Sequence, residues 1–402
     1  MASPRAWVEV DLPALVRNAN RAGPGPSLLP MIKADAYGLG AARVAGALTP
    51  LQPYAFGVAT MEEGTALREA GVVGRIIVFF PSPNTESEAL VSHRLDAAVL
   101  SVDALAALLP RSIRYGRRDG SWLHLEVDTG MGRGGLTLPQ LEAVAPHLVD
   151  LPGRTGGDHG HIASMFTHLH SADSNRDAAK RQLDQFLRAA EIVTGAGLAK
   201  PLLHIGASHA LKLGAHYHLD LVRPGICLYG GGPALESVVS VRARVLEVRE
   251  LPPGSTVGYG ASYTTTGRER IATLGMGYAD GVPLEISNKG TFLLHGTRVP
   301  VRGRVCMDVT TVDVSRVPGV KPGDVATLLG RGSPDTAARA VGAEVRPARC
   351  GNDAAGGNAP GDATDEITLA ELAGAAGTLE HKILTSLGLR LPRIYGGGPA
   401  DG

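Results

Sequence analysis

The chain has 402 residues, 44% of them hydrophobic and 19% charged, a composition that buries a large core and excludes intrinsic disorder. Lys plus Arg and Asp plus Glu both number 39, for a formal net charge of zero. That balance excludes a basic nucleic-acid stripe and a charge block suited to an anionic membrane surface, and points to a small-molecule enzyme or binder.

Taken in chain order, Met1 to Val10 lacks the apolar run of a secretory signal. From about residue 28 to 228, short apolar runs alternate with helical patterns. The runs are 28–34, 55–60, 75–80, 96–100, 123–128, 165–169, 202–207 and 220–226, with amphipathic stretches such as 61–70, 139–148 and 176–195 between them. The longest apolar stretch, Ile76–Phe80, is too short to span a bilayer. Eight runs separated by room for helices suggest a closed (β/α)8 barrel, although a doubly wound open sheet gives the same alternation.

Beyond about Gly231 the rhythm becomes β-rich: 238–251, 256–264, 270–276, 291–294, 298–302, 307–314 and 325–329. Long helical intervals are missing, which predicts a separate, mostly antiparallel domain. Residues 331–365, rich in Gly, Ala, Asp and Pro, read as an irregular insertion; a helical stretch over 369–387 and a short strand near 391–395 follow. The expected architecture is α/β. An N-terminal TIM-type barrel spans 10–232, and a β domain spans 233–402 together with the first few residues. Cys227, Cys306 and Cys350 lack Cys-x-x-Cys spacing, which fits a reducing compartment and excludes a disulfide framework or cysteine-rich zinc site. A soluble cytoplasmic protein is the expectation.

In such a barrel the site lies at the C-terminal strand ends, with phosphate after strands 7 and 8. Reading those ends gives Lys33, Arg133, His168, Ser208, Arg223 and Gly225, a convergent polar set that favours the barrel. A lysine in an apolar strand is costly to keep charged, so its pKa falls and its amine becomes nucleophilic. Alone, such a lysine more often runs its stem along the strand and its ammonium into water.

Lys33-Ala34-Asp35-Ala36-Tyr37-Gly38 resembles the cofactor-lysine motif of bacterial alanine racemases. Trp7–Leu12, Asp128–Arg133, Thr167-His168, Arg223–Ile226, Leu228–Gly230, Gly258–Gly260, Gly277–Gly281, Gly303–Asp308 and Arg390–Arg393 resemble family segments in family order. The resemblance covers nearly the whole chain except 331–365. It implies a pyridoxal phosphate enzyme that interconverts L- and D-alanine, supplies D-alanine for peptidoglycan, and works as a homodimer with shared sites. Lys33 would hold the cofactor covalently and serve as one base; Tyr259 of the partner chain would be the other.

The resemblance also assigns the remaining residues. His168 and Arg223 would form a relay whose charge favours the Tyr259 phenolate. Arg223 would also face the pyridine nitrogen, and as a guanidinium it can only donate. Tyr37, Ser208, Gly225 and Ile226 would hold the phosphate, His204 would contribute to the cofactor site, Arg133 and the Met307 amide would hold the substrate carboxylate, and Tyr278 would narrow the entrance. No metal is implied.

The sequence departs from the family in places. Glu126 stands where relatives often carry a lysine whose carbamate orients the substrate-binding arginine, and is expected to give Arg133 a fixed carboxylate, with a gap left by its shorter side chain. Ala207 replaces a usual asparagine, Leu389 stands where some relatives place a phosphate-binding tyrosine, and Glu380-His381-Lys382 differs from the usual pattern. Segments near 154–164 and 331–365 have no family counterpart. Other readings remain: an amino-acid racemase of broader range, an aldolase that forms imines with its substrate, a non-catalytic pyridoxal phosphate carrier on the same barrel, and a related decarboxylase.

Overall fold

The computed structural model describes residues 4–114, 122–149, 162–232, 234–332 and 366–396. The chain divides into two compact units: one joins the N-terminal strand through Asp11 to the segment beginning at Ser237, and the other runs from Leu12 to Glu236. Strand β1 (Ala6–Asp11) belongs to the first of these.

The Leu12–Glu236 unit begins with α1 (Leu12–Ala22), an extended segment at 28–31, the short α2 (Lys33–Gly38) and α3 (Ala41–Leu48). Strands and helices then alternate: β2 (Phe56–Val58), α4 (Met61–Glu69), β3 (Ile76–Val78), α5 (Pro83–Ser92), β4 (Asp96–Val99), α6 (Val102–Arg114) and β5 (Leu123–Glu126). They continue with α7 (Leu138–Val149), β6 (Ile162–Phe166), α8 (Arg176–Gly195), β7 (Leu202–His204), β8 (Gly206–Ala207) and β9 (Val222–Arg223).

Strands β2 to β7 pair in parallel in chain order, and β8 pairs with β9. The ring closes through the extended segment, which bridges Leu28 to Val222 on one side and Met31 to Gly57 on the other. On the remaining seam, Leu203 O accepts from Asp220 N at 3.0 Å. Alternate strand residues therefore point into a closed barrel, whose interior is packed by Leu29, Ala55, Ile77, Phe79, Ala98, Phe166 and Leu221. The open-sheet alternative is excluded by this closure.

Helix α8 shows why the outer layer forms. Asn175 caps it by accepting from Ala178 N, and Ala178, Gln182, Phe186, Ala189 and Val193 recur at helical spacing on its buried face. Strand boundaries differ from the expected ones for local reasons. The first strand ends before Lys33, because Ala34–Tyr37 turn left-handed at φ of 51°, 53°, 52° and 59°. The sixth strand begins at Ile162, inside the segment expected to be an insertion, and ends before His168. Residues 150–161 and 333–365, and with them most of both expected insertions, lie outside the described residues.

The other unit is built on β10 (Val239–Leu251), followed by β11 (Thr256–Val257), β12 (Tyr263–Thr264), β13 (Glu269–Leu274), β14 (Thr291–Leu294), β15 (Thr297–Pro300), β16 (Thr310–Asp313), β17 (Val325–Arg331) and β18 (Glu366–Ile367). Helices α9 (Leu369–Ala375) and α10 (Glu380–Thr385) precede β19 (Arg393–Gly396). The long β10 pairs antiparallel with β1 and β17 over its first half and with β13 over its second, changing register between Val245 and Glu247. Among the described residues, only β1 with β19 is parallel in this sheet. The stretch expected as one strand over 256–264 is a hairpin, with a short turn at Tyr259–Ala261 between its arms. The helical stretch over 369–387 is split in two. Among the described residues no helix is long and apolar enough to cross a membrane.

Candidate active site

The left-handed turn after the first barrel strand sets the position of Lys33. Each non-glycine residue in that conformation costs roughly 1–2 kcal/mol, so the surroundings must over-determine it. Glu63 does part of this. In the capping box with Thr60 at the start of α4, its carboxylate accepts from Ala59 N at 2.7 Å and reaches across to Ala34 N at 2.6 Å. Asp35 closes the turn from the other side: its carbonyl takes Leu39 N and Gly40 N, and its side chain takes Ala41 N at 2.7 Å. Ala36 and Tyr37 are buried beneath.

The remaining barrel residues arrive from the ends of other strands. Asp128 shapes the glycine-rich loop before Arg133 by accepting from Gly130 N and Gly132 N. Arg133 lies over the Phe80 ring at 5.2 Å. Gln182, projecting from α8, donates to Thr129 Oγ1 and to His168 O, both at 3.1 Å, and accepts from His170 N. It thereby ties the loops after β5 and β6 together and fixes His168. Neither Glu63 nor Gln182 was evident as a site residue in the sequence, since each acts on loops distant along the chain and largely on their backbone.

Arg223 is 3% exposed at the end of β9. Its Nη1 donates to His204 Nδ1 at 2.7 Å and His204 O at 2.9 Å, and its Nη2 donates to Thr167 O at 2.7 Å. His204, expected at the cofactor, stands behind Arg223 with both ring nitrogens engaged, Nε2 lying 2.9 Å from Ser164 Oγ. A phenyl face at Phe166 covers the guanidinium.

The charges of this rim act on one another. Burial, then Arg133 and Arg223 against the opposing Glu63, lowers the Lys33 ammonium below the ordinary lysine range. Burial, with Arg223, Arg133, Lys33 and His209, pushes His168 down to about 3, so it is neutral at physiological pH. Burial lowers Arg223 to about 10, still cationic there. Glu126 is buried, and burial raises its carboxyl against the pull of Arg133 and Arg223. Its Oε1 is 4.0 Å from Arg133 Nη2, beyond hydrogen-bond length.

A second corner of the rim suits an anion. Ser208 Oγ accepts from Gly225 N at 2.9 Å and Cys227 N at 3.3 Å. Tyr37 and Tyr229 pack with ring centroids 4.8 Å apart, and Tyr229 donates to Met31 O. Gly225 leaves a cradle: a Cβ there would meet Tyr37 Oη at 2.6 Å and Ser208 Oγ at 3.6 Å. Ile226 opens the short turn after it, where first-turn N–H groups lack intrahelical acceptors. Burial raises the Tyr37 phenol, so it remains a neutral donor. Hydroxyls and amides beside an amine and two guanidiniums fit a phosphorylated aldehyde.

Tyr259, Tyr278 and Met307 lie in the other unit and are 69%, 45% and 52% exposed. They occupy neighbouring turns: Tyr278 N donates to Cys306 O and Ala279 N to Met307 O. Gly258, beside Tyr259, packs against Arg304 N at 3.1 Å from its Cβ position. Asp280 organises these turns, being fully buried and gripped by Arg5 at 3.0 Å and Arg390 at 3.1 Å, while Arg390 also holds Asp308 at 2.8 Å. This arginine pair gives the terminal Arg390 motif a structural purpose.

The His168 shift has a stability consequence. The folded chain protonates His168 only near 3, whereas the unfolded value is 6.5. Between these values the unfolded state binds more protons, so acidification favours unfolding; the lowered His204 acts in the same direction. Urea denaturation at about pH 7 and about pH 4.5 should show the loss, and His168→Gln should reduce the slope between them. An identical slope in that variant would contradict a neutral, buried His168.

Known proteins match this chain over both units. Residues 10–233 match the family model of the alanine racemase N-terminal domain, and residues 238–348 that of its C-terminal domain. The chain is 36% identical over 409 residues to the alanine racemase of Symbiobacterium thermophilum, covering 98% of each. In three dimensions it is similar to the alanine racemase of the D-cycloserine producer Streptomyces lavendulae, with TM-score 0.82, 28% identity and 99% of each chain covered. It is also similar to alanine racemase from Bartonella henselae with covalently bound pyridoxal phosphate, with TM-score 0.79, 27% identity and 98% and 100% of the two chains covered.

Proposed function

Because this chain belongs to the alanine racemase family, we propose that it interconverts L-alanine and D-alanine with pyridoxal phosphate, using two opposed bases, Lys33 and Tyr259 of the partner subunit. The observation that carries this reading is the meeting, on one barrel rim, of a lysine lowered from its ordinary range with buried Arg223 and the Gly225 cradle. Bound at that rim, pyridoxal phosphate supplies an electron sink for the α-carbon.

The protein's own groups divide the remaining work. Tyr37, Ser208 and the amides of Gly225 and Ile226 hold the phosphate. Arg223 keeps a donor toward the ring nitrogen and cannot surrender its proton there. The Lys33 amine, with its proton affinity reduced by burial and Arg133, takes or returns a proton at one face of the α-carbon. Tyr259 does the same at the other face. His168 enters as a neutral hydrogen-bond partner, leaving the arginines as the cations that favour a tyrosinate.

Arg133 and the Met307 amide orient the substrate carboxylate, and Tyr278 narrows the approach. Tyr259, Tyr278 and Met307 are exposed, which is consistent with sites completed in a homodimer. The cytoplasmic product, D-alanine, suits peptidoglycan synthesis. The aldolase reading gives Tyr259 and the β unit no task.

Solvent deuterium exchange into each alanine enantiomer tests the two-base assignment. Lys33→Ala should abolish exchange from both, and Tyr259→Phe should slow exchange from L-alanine by roughly 100-fold or more. Unimpaired exchange in Tyr259→Phe would overturn the assignment. For Glu126, the expected role is to orient Arg133: Glu126→Gln should raise KM for alanine several-fold with kcat nearly kept, and an unchanged KM would refute it.

A further inference from the structure

The barrel interior is apolar over most of its depth, yet one polar chain crosses it. From Arg223 Nη1 it passes to His204 Nδ1 at 2.7 Å, from His204 Nε2 to Ser164 Oγ at 2.9 Å, and from Ser164 Oγ to His124 Nδ1 at 2.6 Å. From there His124 Nε2 reaches Asp96 Oδ2 at 3.1 Å, and Arg75 Nη1 donates to the same oxygen at 2.9 Å. Arg223 is 3% exposed; His204, Ser164, His124 and Asp96 are each 0% exposed. The chain steps one strand at a time, from β9 through β7, β6, β5 and β4 to the residue before β3. It joins the C-terminal rim to the opposite end of the barrel.

With His124 neutral and Asp96 ionised, donor chemistry sets the direction of the protons along it. A guanidinium only donates, so His204 Nδ1 accepts and its proton sits on Nε2. That proton is donated to Ser164 Oγ, and the Ser164 hydrogen goes to His124 Nδ1. His124 therefore carries its proton on Nε2 and donates it to the Asp96 carboxylate. Burial, with the Arg223 cation beside it, lowers His204 well below its ordinary value, in keeping with a neutral ring.

Arg223 is the beneficiary. Its four Nη hydrogens have acceptors at His204 Nδ1 and at the carbonyls of His204, Thr167 and, at 3.5 Å, Ile205. Its Nε–H is the donor left for a ligand. We propose that Asp96, His124 and Ser164 are positioning residues that act through His204 to hold Arg223 in register with the ligand at the rim. Asp96 sets the polarity of the chain from its far end, and Ser164 transmits it. This inference rests on the reading that Arg223 faces the cofactor ring.

The test uses holoenzyme labelled with 15N-histidine, in wild type, Ser164→Ala, Ser164→Thr and Asp96→Asn. Wild-type His204 and His124 should each show a single neutral tautomer protonated on Nε2. Ser164→Ala and Asp96→Asn should lose that fixed tautomer at His204, shift the visible absorption band of bound pyridoxal phosphate, and lower kcat by roughly 10- to 100-fold, with KM for alanine changed far less. Ser164→Thr, which keeps the hydroxyl, should restore the tautomer and the band. If the alanine and asparagine variants keep the wild-type tautomer and band and lose only thermal stability, the proposal is overturned. A wild-type protein with ordered tautomers but no affinity for pyridoxal phosphate overturns the reading of the site and leaves the proton order of the chain upheld.

Discussion

The concentration of positive charge on one barrel rim is the constraint on which the site depends. Lys33, Arg133 and Arg223 act on a common neighbourhood, and Glu126 is the buried carboxylate among them. Like charges a few ångströms apart near a protein surface repel by up to about 4 kcal/mol. The structure accommodates this by holding Lys33 below its ordinary range and keeping His168 neutral. An anionic ligand relieves the remainder, so the rim favours anions before any shape is considered.

Backbone geometry converts that charge into a site. The left-handed turn at Ala34–Tyr37 places Lys33 and Tyr37 on the rim together, and Glu63 spends its carboxylate on Ala34 N and Ala59 N to keep the turn in place. Gln182 performs the corresponding service for His168 from α8. In the other unit, the Arg5–Asp280–Arg390 cluster holds the Tyr278 and Met307 turns. Lys33, His168 and the Tyr278 and Met307 turns thus stand on segments whose peptide groups are held by polar side chains.

Much of this was legible in the sequence because strand ends and turns leave marks. The alternation of apolar runs gave the barrel and the β-rich sheet, and the polar residues at the run ends, Lys33, Arg133, His168, Ser208 and Arg223, share the rim. Boundaries were less legible. The run 28–34 is apolar up to Lys33, and nothing in Ala34-Asp35-Ala36 announces a succession of left-handed residues, since alanine avoids that conformation and aspartate adopts it only singly. Ser164, His124 and Asp96 were invisible for a different reason. A polar residue inside a short strand reads as facing outward until the barrel closes and the alternation with Ala98, Phe166 and Leu221 turns it inward. Glu63 and Gln182 act through peptide groups of distant loops, a relation that no spacing encodes.

The central claim is that Lys33 is the amine that holds the cofactor on this rim. Purified protein incubated with pyridoxal phosphate, reduced with borohydride and digested, should yield a single pyridoxyl-modified peptide containing Lys33. Modification at Lys200 or Lys212 with Lys33 left free, or no stable modification at all, would contradict it.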